Sequence, residues 1–257
     1  MKLLTVARDL QRRKSRHRQG RFVAEGVRTV EALLDSPLTV TGVLVTSALR
    51  SDPRGAALFD RILARELPVQ DITPSELESA SDTESPQGVV AIGEIPNRSL
   101  SAPPPQARYL VLDALQDPGN VGTMIRTAAA LGVTATIALP GTVDLWNPKV
   151  VRSTMGATFT HLALHSTWED TTAFLRAYGV PCWIADTDGV VIDSTNGGSV
   201  PDRLALVVGN EGAGISDAVA RVAAKRISIR MAAGVESLNV AVATGILLHA
   251  LRAPTVR

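Results

Sequence analysis

The chain has 257 residues, of which 45% are hydrophobic and 4% aromatic, and its formal net charge is +1. This composition is typical of a soluble globular protein with one large domain or two modest ones. Cys182 is the only cysteine, so the sequence excludes an intrachain disulfide and a cysteine-rich zinc site.

The scarcity of aromatic residues bears on the fold class. Val, Ala, Leu and Ile must supply the core, as they do in parallel strands buried between helices, which favours an α/β fold over a sandwich. The first residues contain too short an apolar stretch for a secretory signal, and no later run approaches the roughly 20 apolar residues of a membrane span. We therefore expect a soluble, cytoplasmic protein.

The chain begins with a predicted amphipathic helix, because Leu3, Val6, Ala7 and Leu10 recur at helical spacing. An arginine-rich turn follows, and we call these first basic residues the basic arm. Its candidate RNA contacts are Arg8, Arg12, Arg13, Arg16, Arg18 and Arg21. Phosphate contacts release counterions without requiring an overall basic protein, so the arm suits a polyanion, and a solvated helix face is the alternative.

The next segments predict a small α/β unit. In chain order they are a helix over 22–36, a strand over 41–47, a helix over 54–67 and a strand over 88–95. Three consecutive prolines within 97–107 cannot continue a helix or a central strand, so this segment is predicted to be a linker. The linker separates a first domain, 1–96, from a second, 108–257.

Apolar strands alternate with helical segments throughout the second domain. The strands are predicted over 109–113, 134–139, 182–186, 204–209 and 226–230. This alternation indicates βαβ crossovers and a mostly parallel sheet. Ligands bind at the carboxyl ends of strands in such sheets, so the corners after 109–113, 204–209 and 226–230 are candidate site segments.

The first corner contains Asn120 and Arg126. Asn120 either caps a helix that begins near Val121 or contacts a ligand. Arg126 lies in a segment of otherwise apolar or small residues, where a guanidinium is costly to bury unless it meets an acid or a phosphate. A structural ion pair and a ligand contact are both open for Arg126.

The other two corners are rich in glycine or in small polar residues. Three glycines surround Glu211 within 209–214, and glycine lets backbone groups approach a ligand closely, although a plain tight turn has the same composition. Ser237 and Asn239 follow the third strand, where Ser237 or Glu236 could instead cap the apolar helix that comes next.

No common nucleotide-binding or hydrolase motif accompanies these corners. The glycine-rich loop lacks the lysine of a Walker loop and the G-x-G-x-x-G order of a dinucleotide fingerprint, which weighs against an NAD-dependent oxidoreductase. No G-x-S-x-G elbow is present, and the four histidines, His17, His161, His165 and His249, belong to no evident motif.

Together the three corners resemble the three sequence motifs of the SpoU, or TrmH-like, branch of the SPOUT RNA methyltransferases. The first motif corresponds to the stretch from Asn120 through Arg126 to Gly132, the second to VVGNEGAGIS and the third to IRMAAGVESLNVAVA. The stretches RFVAEGVRTVEALL and SPQGVVAIGE resemble the small RNA-binding domain that precedes many members' catalytic domains. Arg230 departs from the pattern, since members often have proline at its place.

The resemblance implies a particular α/β architecture and cofactor. A mostly parallel sheet with helices on both faces would carry a trefoil knot, preceded by a small α/β RNA-binding domain. S-adenosylmethionine would lie in the knot, and two subunits would pair so that each active site draws residues from both. No metal is required. The residues implied to line the cofactor pocket are Gly209, Glu211, Ile229, Met231 and Leu238.

The implied reaction is methyl transfer to a ribose 2′-hydroxyl in ribosomal RNA, with 23S rRNA as the expected substrate. Arg126 is the principal catalytic candidate, because its guanidinium can bind the phosphate beside the target ribose and stabilise developing oxyanion charge. Asn120, Ser237 and Asn239 would position Arg126 or the ribose, with Glu211 as an orienting partner. Methylation of tRNA, and a non-catalytic RNA-binding or ribosome-assembly factor that retains the fold, are the alternatives.

Overall fold

The structure is a computed structural model that describes residues 2–83, 86–192, 200–235 and 237–252. It divides into two compact units. The first comprises the described residues up to Asn97 together with Trp146–Thr160, and the second comprises Arg98–Leu145 and the described residues from His161 onward. Among the described helices, none combines the length and the apolar character that a bilayer span requires.

Helices and strands alternate along most of the chain. Up to the linker the elements are α1 (Leu3–Leu10), α2 (Arg13–Gln19), β1 (Arg21–Glu25), α3 (Val27–Leu34), β2 (Val40–Val45), a 3-10 helix (Ser47–Ser51), α4 (Pro53–Ala64), β3 (Val69–Asp71), α5 (Pro74–Glu78) and β4 (Val89–Glu94). After it come β5 (Ala107–Asp113), α6 (Pro118–Ala130), β6 (Ala135–Ala138), α7 (Pro148–Ser153), α8 (Ala157–Thr160), β7 (Ala163–His165), α9 (Trp168–Ala177), β8 (Cys182–Val191), β9 (Arg203–Gly209), α10 (Asp217–Ala220), β10 (Lys225–Ser228) and α11 (Val240–Ala250).

The first unit is built on a four-stranded sheet of order β1-β4-β2-β3. β4 is antiparallel to both β1 and β2, and β3 runs parallel to β2. The amphipathic helix predicted at the start of the chain is confirmed as α1, whose Leu4, Val6, Ala7 and Leu10 are buried in the core of this unit. The predicted strands and helix that became β2, α4 and β4 are also confirmed.

The segment predicted as one helix over 22–36 is instead a strand followed by a helix. β1 ends at Glu25, and α3 begins at Val27. Between them Gly26 has a φ of 86°, in the region that favours glycine and that no helix residue adopts. Phe22 is fully buried in β1. Periodicity alone does not separate a short buried strand from a buried helix, which explains the error.

The arginine-rich segment predicted as a turn is the helix α2, which ends at Gly20 with a left-handed φ of 62°. The sequence places Arg16 among the candidate RNA contacts, but its side chain is only 1% exposed. Its Nη1 donates to the backbone oxygens of Leu10, at 2.8 Å, and of Gln11, at 2.9 Å. These carbonyls lie at the end of α1, so Arg16 is a structural residue that joins α1 to α2.

The segment Trp146–Thr160 packs within the first unit, although the sequence assigns it to the second predicted domain. The ring of Phe22 lies 4.4 Å from that of Trp146 and 5.7 Å from that of Phe159, measured between centroids. Arg152 donates from Nη1 to the buried carboxylate of Glu25 at 2.9 Å. Aromatic packing and a nearly enclosed ion pair therefore hold this segment against β1.

The second unit is a six-stranded sheet of order β10-β8-β9-β5-β6-β7, in which every neighbouring pair is parallel. The predicted mostly parallel sheet is therefore confirmed, and the five predicted strands became β5, β6, β8, β9 and β10. The three-residue edge strand β7 was too short to stand out in the sequence. The direction of strand order reverses between β5 and β9, the kind of point where α/β sheets open a ligand crevice.

The carboxyl-terminal helix α11 packs against α6 and β9. Thr244 Oγ1 on α11 lies 3.3 Å from the sulfur of Met124 on α6. At the other end of α11, Arg108 of β5 is buried and donates from Nε to the backbone oxygen of Leu251 at 2.6 Å. Desolvation by burial lowers the pKa of Arg108. The helix is thus fixed to the central strand of the sheet.

The parallel pairing of β8 with β10 contains a large register shift. Ile184 pairs with Arg226, but the next residue of β10, Ile227, pairs with Val190. The intervening residues loop away from the pairing, and the backbone of Gly189 presses against β10. A Cβ on Gly189 would lie 2.5 Å from the Ile227 nitrogen and 2.7 Å from the Arg226 carbonyl carbon. Only glycine fits this crossing without a backbone shift.

His161 and Cys182 are buried titratable side chains of the second unit. His161 is 8% exposed, and its Nε2 lies 2.9 Å from Thr136 Oγ1. Burial, reinforced by the charge of Arg98, lowers the pKa of His161 from 6.5 to about 4. Burial likewise raises the pKa of the Cys182 thiol to about 12, so this thiol stays protonated and behaves as a small core residue.

We expect Gly189→Ala to lower the free energy of unfolding by about 1–3 kcal/mol, because the new methyl group overlaps backbone atoms that have no rotamer with which to escape. Gly245→Ala is the matched control, since a Cβ there would meet Thr127 Cγ2 at 3.5 Å, an ordinary contact within a helix. Urea unfolding followed by circular dichroism measures both. Equal stability of the two variants would contradict the tight crossing.

The buried His161 predicts a loss of stability in acid. The folded state prefers the neutral imidazole, so its contribution is complete above the unfolded pKa of 6.5 and is lost as the pH falls toward the folded pKa of about 4. We expect about 2 kcal/mol of this loss between about pH 7.5 and about pH 5. His161→Gln should remove that part of the pH dependence in urea titrations, whereas the exposed His17→Gln should keep it. A pH profile unchanged by His161→Gln would refute the assignment.

Candidate functional site

A cavity of about 930 Å³ opens in the second unit at the carboxyl ends of three neighbouring strands. Residues of β8, β9 and β10 form its walls, together with the segments that follow β9 and β10 and the start of α11. The lining residues are Ala185–Thr187, Val208–Ile215, Ile227–Ile229, Met231, Val235, Ser237–Val240, Ala243 and Leu247. The sequence correctly predicts the sheet edge, because parallel strands bring their carboxyl ends to one side.

Most of the predicted site residues line this cavity. The five residues expected in a cofactor pocket, and two of those expected to act on a substrate, are Gly209, Glu211, Ile229, Met231, Leu238, Ser237 and Asn239. They come from two separate stretches of the chain, 209–211 and 229–239. Arg230 is exposed and does not line the cavity, so its departure from the motif lies outside the wall itself.

The glycine-rich corner is a tight backbone hairpin. Asn210 and Gly214 exchange two backbone hydrogen bonds, of 3.0 and 2.8 Å. A Cβ on Gly209 would overlap the carbonyl group of Gly214, so this position requires glycine. The turn therefore presents main-chain groups to the cavity with no side chain between them.

Two polar residues that the sequence did not single out hold this hairpin in place. The Oδ1 of Asn210 accepts from Gly212 and Ala213 at 2.9 and 3.0 Å, while its Nδ2 donates to the backbone oxygen of Ala114. Asp113, buried at the end of β5, accepts from the Ser216 nitrogen at 2.8 Å. An asparagine beside glycine is a recognisable turn signal, but only the fold shows that Asp113 reaches this loop.

A chain of side-chain hydrogen bonds connects all three corners. Asn120 Nδ2 on α6 donates to Glu211 Oε1 at 2.6 Å. Asn239 Nδ2, at the start of α11, donates to Asn120 Oδ1 at 3.0 Å. Asn120 thus uses both ends of its amide to bridge two walls of the cavity, and the predicted grouping of Asn120, Glu211 and Asn239 is found in the structure.

The helix caps differ from the expectation. Asp117, rather than Asn120, caps α6 and accepts from the Asn120 nitrogen at 2.6 Å, while Pro118 occupies the first helical position. Asn239 caps α11, accepting from the nitrogens of Ala241 and Val242. Glu236, a predicted alternative cap, lies outside the described residues. The side chain of Asn120 is therefore available to the site.

Arg126 is not brought to this cavity. It is exposed on α6, and it forms neither a hydrogen bond nor an ion pair with any residue that the structure describes. Six residues of helix turn the Arg126 side chain about 120° away from that of Asn120, so Arg126 does not line the cavity of its own chain, and its catalytic role stays a prediction. The alternative of a structural ion pair also lacks a described partner.

The opposite wall carries an acidic residue that the sequence did not predict. Asp186 lies within β8, lines the cavity and pairs with Arg226 of β10. Its Oδ1 also accepts from the Asp188 nitrogen at 3.0 Å. With Glu211, it makes two carboxylates in the described lining. The sequence of this segment predicts an ordinary strand. The register shift takes its middle residues out of the pairing with β10, and they then line the cavity.

Five of the six arginines predicted to bind RNA are at least partly accessible in the first unit. Arg8 donates to Ser79 Oγ at 2.7 Å, Arg12 pairs with Asp9 at 3.2 Å, and Arg13 lies 3.4 Å from His17 Nε2. Arg18 is exposed and Arg21 half-buried, so with Arg16 buried the basic arm keeps five candidate contacts. Within the described part of the chain, no group of three or more His, Cys, Asp or Glu residues is arranged to hold a metal ion.

Sequence comparison divides the chain along similar lines. The sequence model of the SpoU rRNA Methylase family matches residues 107–249. That of the MRM3-like substrate binding domain matches residues 5–91. The first match covers more than half of the chain and includes every residue of the three-corner hydrogen-bond chain.

Full-length relatives carry specific names. The chain is 32% identical over 250 residues to the Bacillus subtilis (strain 168) protein named 23S rRNA (guanosine(2553)-2'-O)-methyltransferase RlmP, covering 95% of this chain and 94% of that one. It is also 32% identical to the 23S rRNA (uridine(2479)-2'-O)-methyltransferase of Streptomyces viridochromogenes, covering 93% of this chain and 85% of that one.

A solved structure shares the fold over nearly the whole chain. The AdoMet-bound rRNA methyltransferase from Sinorhizobium meliloti superposes with a TM-score of 0.83 at 30% identity, covering 97% of this chain and 93% of that one. Similarity over these lengths, with the matched motifs meeting at one cavity, identifies the protein's family. The chain belongs to the SpoU rRNA Methylase family.

Proposed function

We propose that this protein transfers a methyl group from S-adenosylmethionine to a ribose 2′-hydroxyl in 23S ribosomal RNA. The observation that carries this proposal is the hydrogen-bonded chain Glu211–Asn120–Asn239 beside the 930 Å³ cavity. It joins the three family motifs at one place, next to a space large enough for the methyl donor. The two curated relatives described above are named for the same reaction on 23S rRNA, which supports this substrate over tRNA.

The cavity fits S-adenosylmethionine in size and in chemistry. Its volume of about 930 Å³ is ample for a nucleoside cofactor, and its wall combines the bare backbone of 209–214 with the apolar Ile229, Met231 and Leu238. These groups suit an adenine ring contacted mainly by main chain and by aliphatic surface. Asp186 and Glu211 supply negative charge for a cofactor that carries an ammonium and a sulfonium.

When bound, S-adenosylmethionine supplies a methyl group on positively charged sulfur. The protein's own residues must then orient the ribose and assist loss of its hydroxyl proton. Ser237, which lines the cavity, is a hydrogen-bonding partner for the ribose. Asn120 holds Glu211 and Asn239 in place through one hydrogen bond to each. The Arg126 guanidinium binds the neighbouring phosphate and stabilises the oxyanion.

The exposed position of Arg126 supports a site completed by a second subunit. α11 presents Val242, 52% exposed, and Ile246, 43% exposed, as apolar residues on one face. α11 packs against α6. At this contact Gly245 of α11 faces Thr127 of α6, and Thr127 is the neighbour of Arg126 in the chain. An apolar stripe beside an arginine is a suitable surface for a second copy of the chain, so we assign Arg126 to the partner's cavity in a homodimer.

Three further expectations belong to the same proposal. Membership of the SpoU rRNA Methylase family supports a trefoil knot in the second unit. The domains are 1–96, which binds RNA partly through Arg8, Arg12, Arg13, Arg18 and Arg21, the linker 97–107 and the catalytic domain 108–257. We expect the protein to act in the cytoplasm, and the relatives named for 23S rRNA in Bacillus and Streptomyces support this expectation.

Labelled S-adenosylmethionine and an unmodified 23S rRNA transcript test the activity directly. We expect incorporation at a single ribose 2′-oxygen, mapped by alkaline resistance of the adjacent phosphodiester. Asn120→Ala should lower kcat by about tenfold to a hundredfold, because both neighbours lose their hydrogen-bond partner, with little change in cofactor affinity.

Thr123→Ala is the control for Asn120→Ala, since Thr123 is exposed on the same helix and does not line the cavity. It should keep wild-type kcat. Tight RNA binding by the wild-type chain with no methyl incorporation would exclude the enzyme and favour a non-catalytic RNA-binding factor.

Mixing two inactive variants tests the shared site. Arg126→Ala and Glu211→Ala should each lose transfer alone, yet together recover about a quarter of wild-type activity, because random subunit exchange places one intact site in each mixed dimer. Transfer is measured after incubation that permits exchange, and light scattering reports the dimer. If the mixture stays as inactive as its components although mixed dimers form, Arg126 does not serve the partner's site.

A further inference from the structure

The first unit contains a second cavity, of about 470 Å³, that the proposed reaction does not use. Its walls come from the start of α3, with Val27 and Arg28, and from the start of α4, with Asp52 and Arg54. The turn Pro86–Gly88, just before β4, closes a third side. Three separate parts of the chain therefore converge on one space within the region that matches a substrate-binding domain.

Glycines and one glutamine hold the shape of this cavity. Gln87 Oε1 accepts from the Val27 nitrogen at 3.1 Å, and a Cβ on Gly26 would lie 2.9 Å from the same oxygen. Gly88 has a φ of 78°, and a Cβ there would come within 2.9 Å of the Leu49 nitrogen. These contacts fix the turn against α3 and the 3-10 helix, so the cavity is formed before any ligand arrives.

The charged groups of the cavity are unequally satisfied. Arg54 donates from Nε to both carboxylate oxygens of Glu31, at 2.9 and 3.0 Å, so a neighbouring acid offsets its charge. Arg28 is exposed and has neither a hydrogen bond nor an ion pair with any described residue. Among the arginines of this cavity, Arg28 is therefore the one whose guanidinium is available to an anion.

Hydrogen-bonding groups of both kinds complete the wall. Gln87 accepts from the Val27 nitrogen through Oε1, and its Nε2 donates to no described residue. Asp52 accepts from the Arg54 and Gly55 nitrogens through Oδ2 alone, which leaves Oδ1 as an acceptor. An amide donor, a carboxylate acceptor and a planar cation are the groups with which proteins hold the edge, face and phosphate of an unpaired nucleotide.

We infer that this cavity binds a single unpaired nucleotide of the substrate RNA, an inference that rests on the proposed action on RNA. Arg28 contacts the phosphate or stacks on the base, while Gln87 and Asp52 hydrogen-bond to the base edge. A volume of about 470 Å³ lies within the range of ligand pockets and is sufficient for one nucleotide with water. The cavity thus selects RNA by a splayed base, whereas the basic arm contributes charge.

Point variants of the full-length protein test this assignment. Arg28→Ala and Gln87→Ala should each weaken binding of an unmodified 23S rRNA transcript by about tenfold and raise KM for RNA, with kcat and cofactor affinity unchanged. Arg65→Ala is the matched control, because Arg65 is an exposed arginine at the end of α4 that lines neither cavity. It should lower affinity by less than about twofold.

Two results would overturn the inference. An equal loss in Arg28→Ala and Arg65→Ala would mean that only diffuse positive charge matters, and wild-type affinity in Gln87→Ala would mean that no base is held. Each variant's thermal unfolding and cofactor binding confirm that the fold persists. If the wild-type chain transfers no methyl to RNA, the proposed function fails, but the comparison of RNA affinities still decides on the cavity.

Crosslinking provides a second, independent measurement. The transcript is prepared with 4-thiouridine, irradiated with the wild-type protein, digested and analysed by mass spectrometry. We expect crosslinked peptides that contain Arg28 or Gln87, and a loss of these crosslinks in Gln87→Ala. Crosslinks confined to other surfaces of the first unit would contradict a nucleotide in this cavity.

Discussion

The functional arrangement depends on a single amide. Asn120 donates to Glu211 and accepts from Asn239, so one side chain on α6 ties the glycine-rich loop after β9 to the start of α11. Each of these segments follows a different strand, so they lie far apart in the sequence and meet only in the folded second unit. Asp117 caps α6, which leaves the Asn120 side chain free to bond to Glu211 and Asn239. Asn239 caps α11 through Oδ1 and donates to Asn120 through Nδ2. These hydrogen bonds hold the polar side chains of Glu211, Asn120 and Asn239 beside a cavity that is large enough for the cofactor.

Much of this arrangement can be predicted from short segments of the sequence. The five longer strands of the second unit are short apolar runs separated by helical segments, and parallel pairing then brings the residues after them to one edge without further assumptions. Seven of the predicted residues, from Gly209 to Asn239, line the cavity for that reason. The sequence also indicates that these residues form a binding site, since glycines and small polar residues at strand ends have few structural uses that require so many of them in one place.

The parts that escaped prediction depend on contacts between distant residues. Nothing around Arg16 indicates that its guanidinium turns inward to the carbonyls at the end of α1, because its neighbours Arg12, Arg13 and Arg18 have the same composition and remain in solvent. The sequence predicts helix at Phe22, where the structure has a strand, because the apolar run is too short to show a period. Asp186 reaches the cavity wall only through the register shift of β8 against β10, which is a property of pairing rather than of either strand. Arg126 is a similar case, since the motif indicates that an arginine is present but not that its side chain lies outside the cavity of its own chain.

The placement of Trp146–Thr160 has a bearing on how such proteins can be recombined. The chain leaves the second unit after Leu145, contributes α7 and α8 to the first, and returns at His161. Neither unit is therefore a single continuous segment of the sequence. Phe22 of one sequence region and Trp146 and Phe159 of the other form a single aromatic cluster. Exchange of the first 97 residues for those of a relative would therefore transplant only part of a core, and would succeed only if the donor domain brought a residue that fills the space between the two rings. Residues 1–97 and Trp146–Thr160 are therefore expected to change together during evolution, because they form the core of one unit.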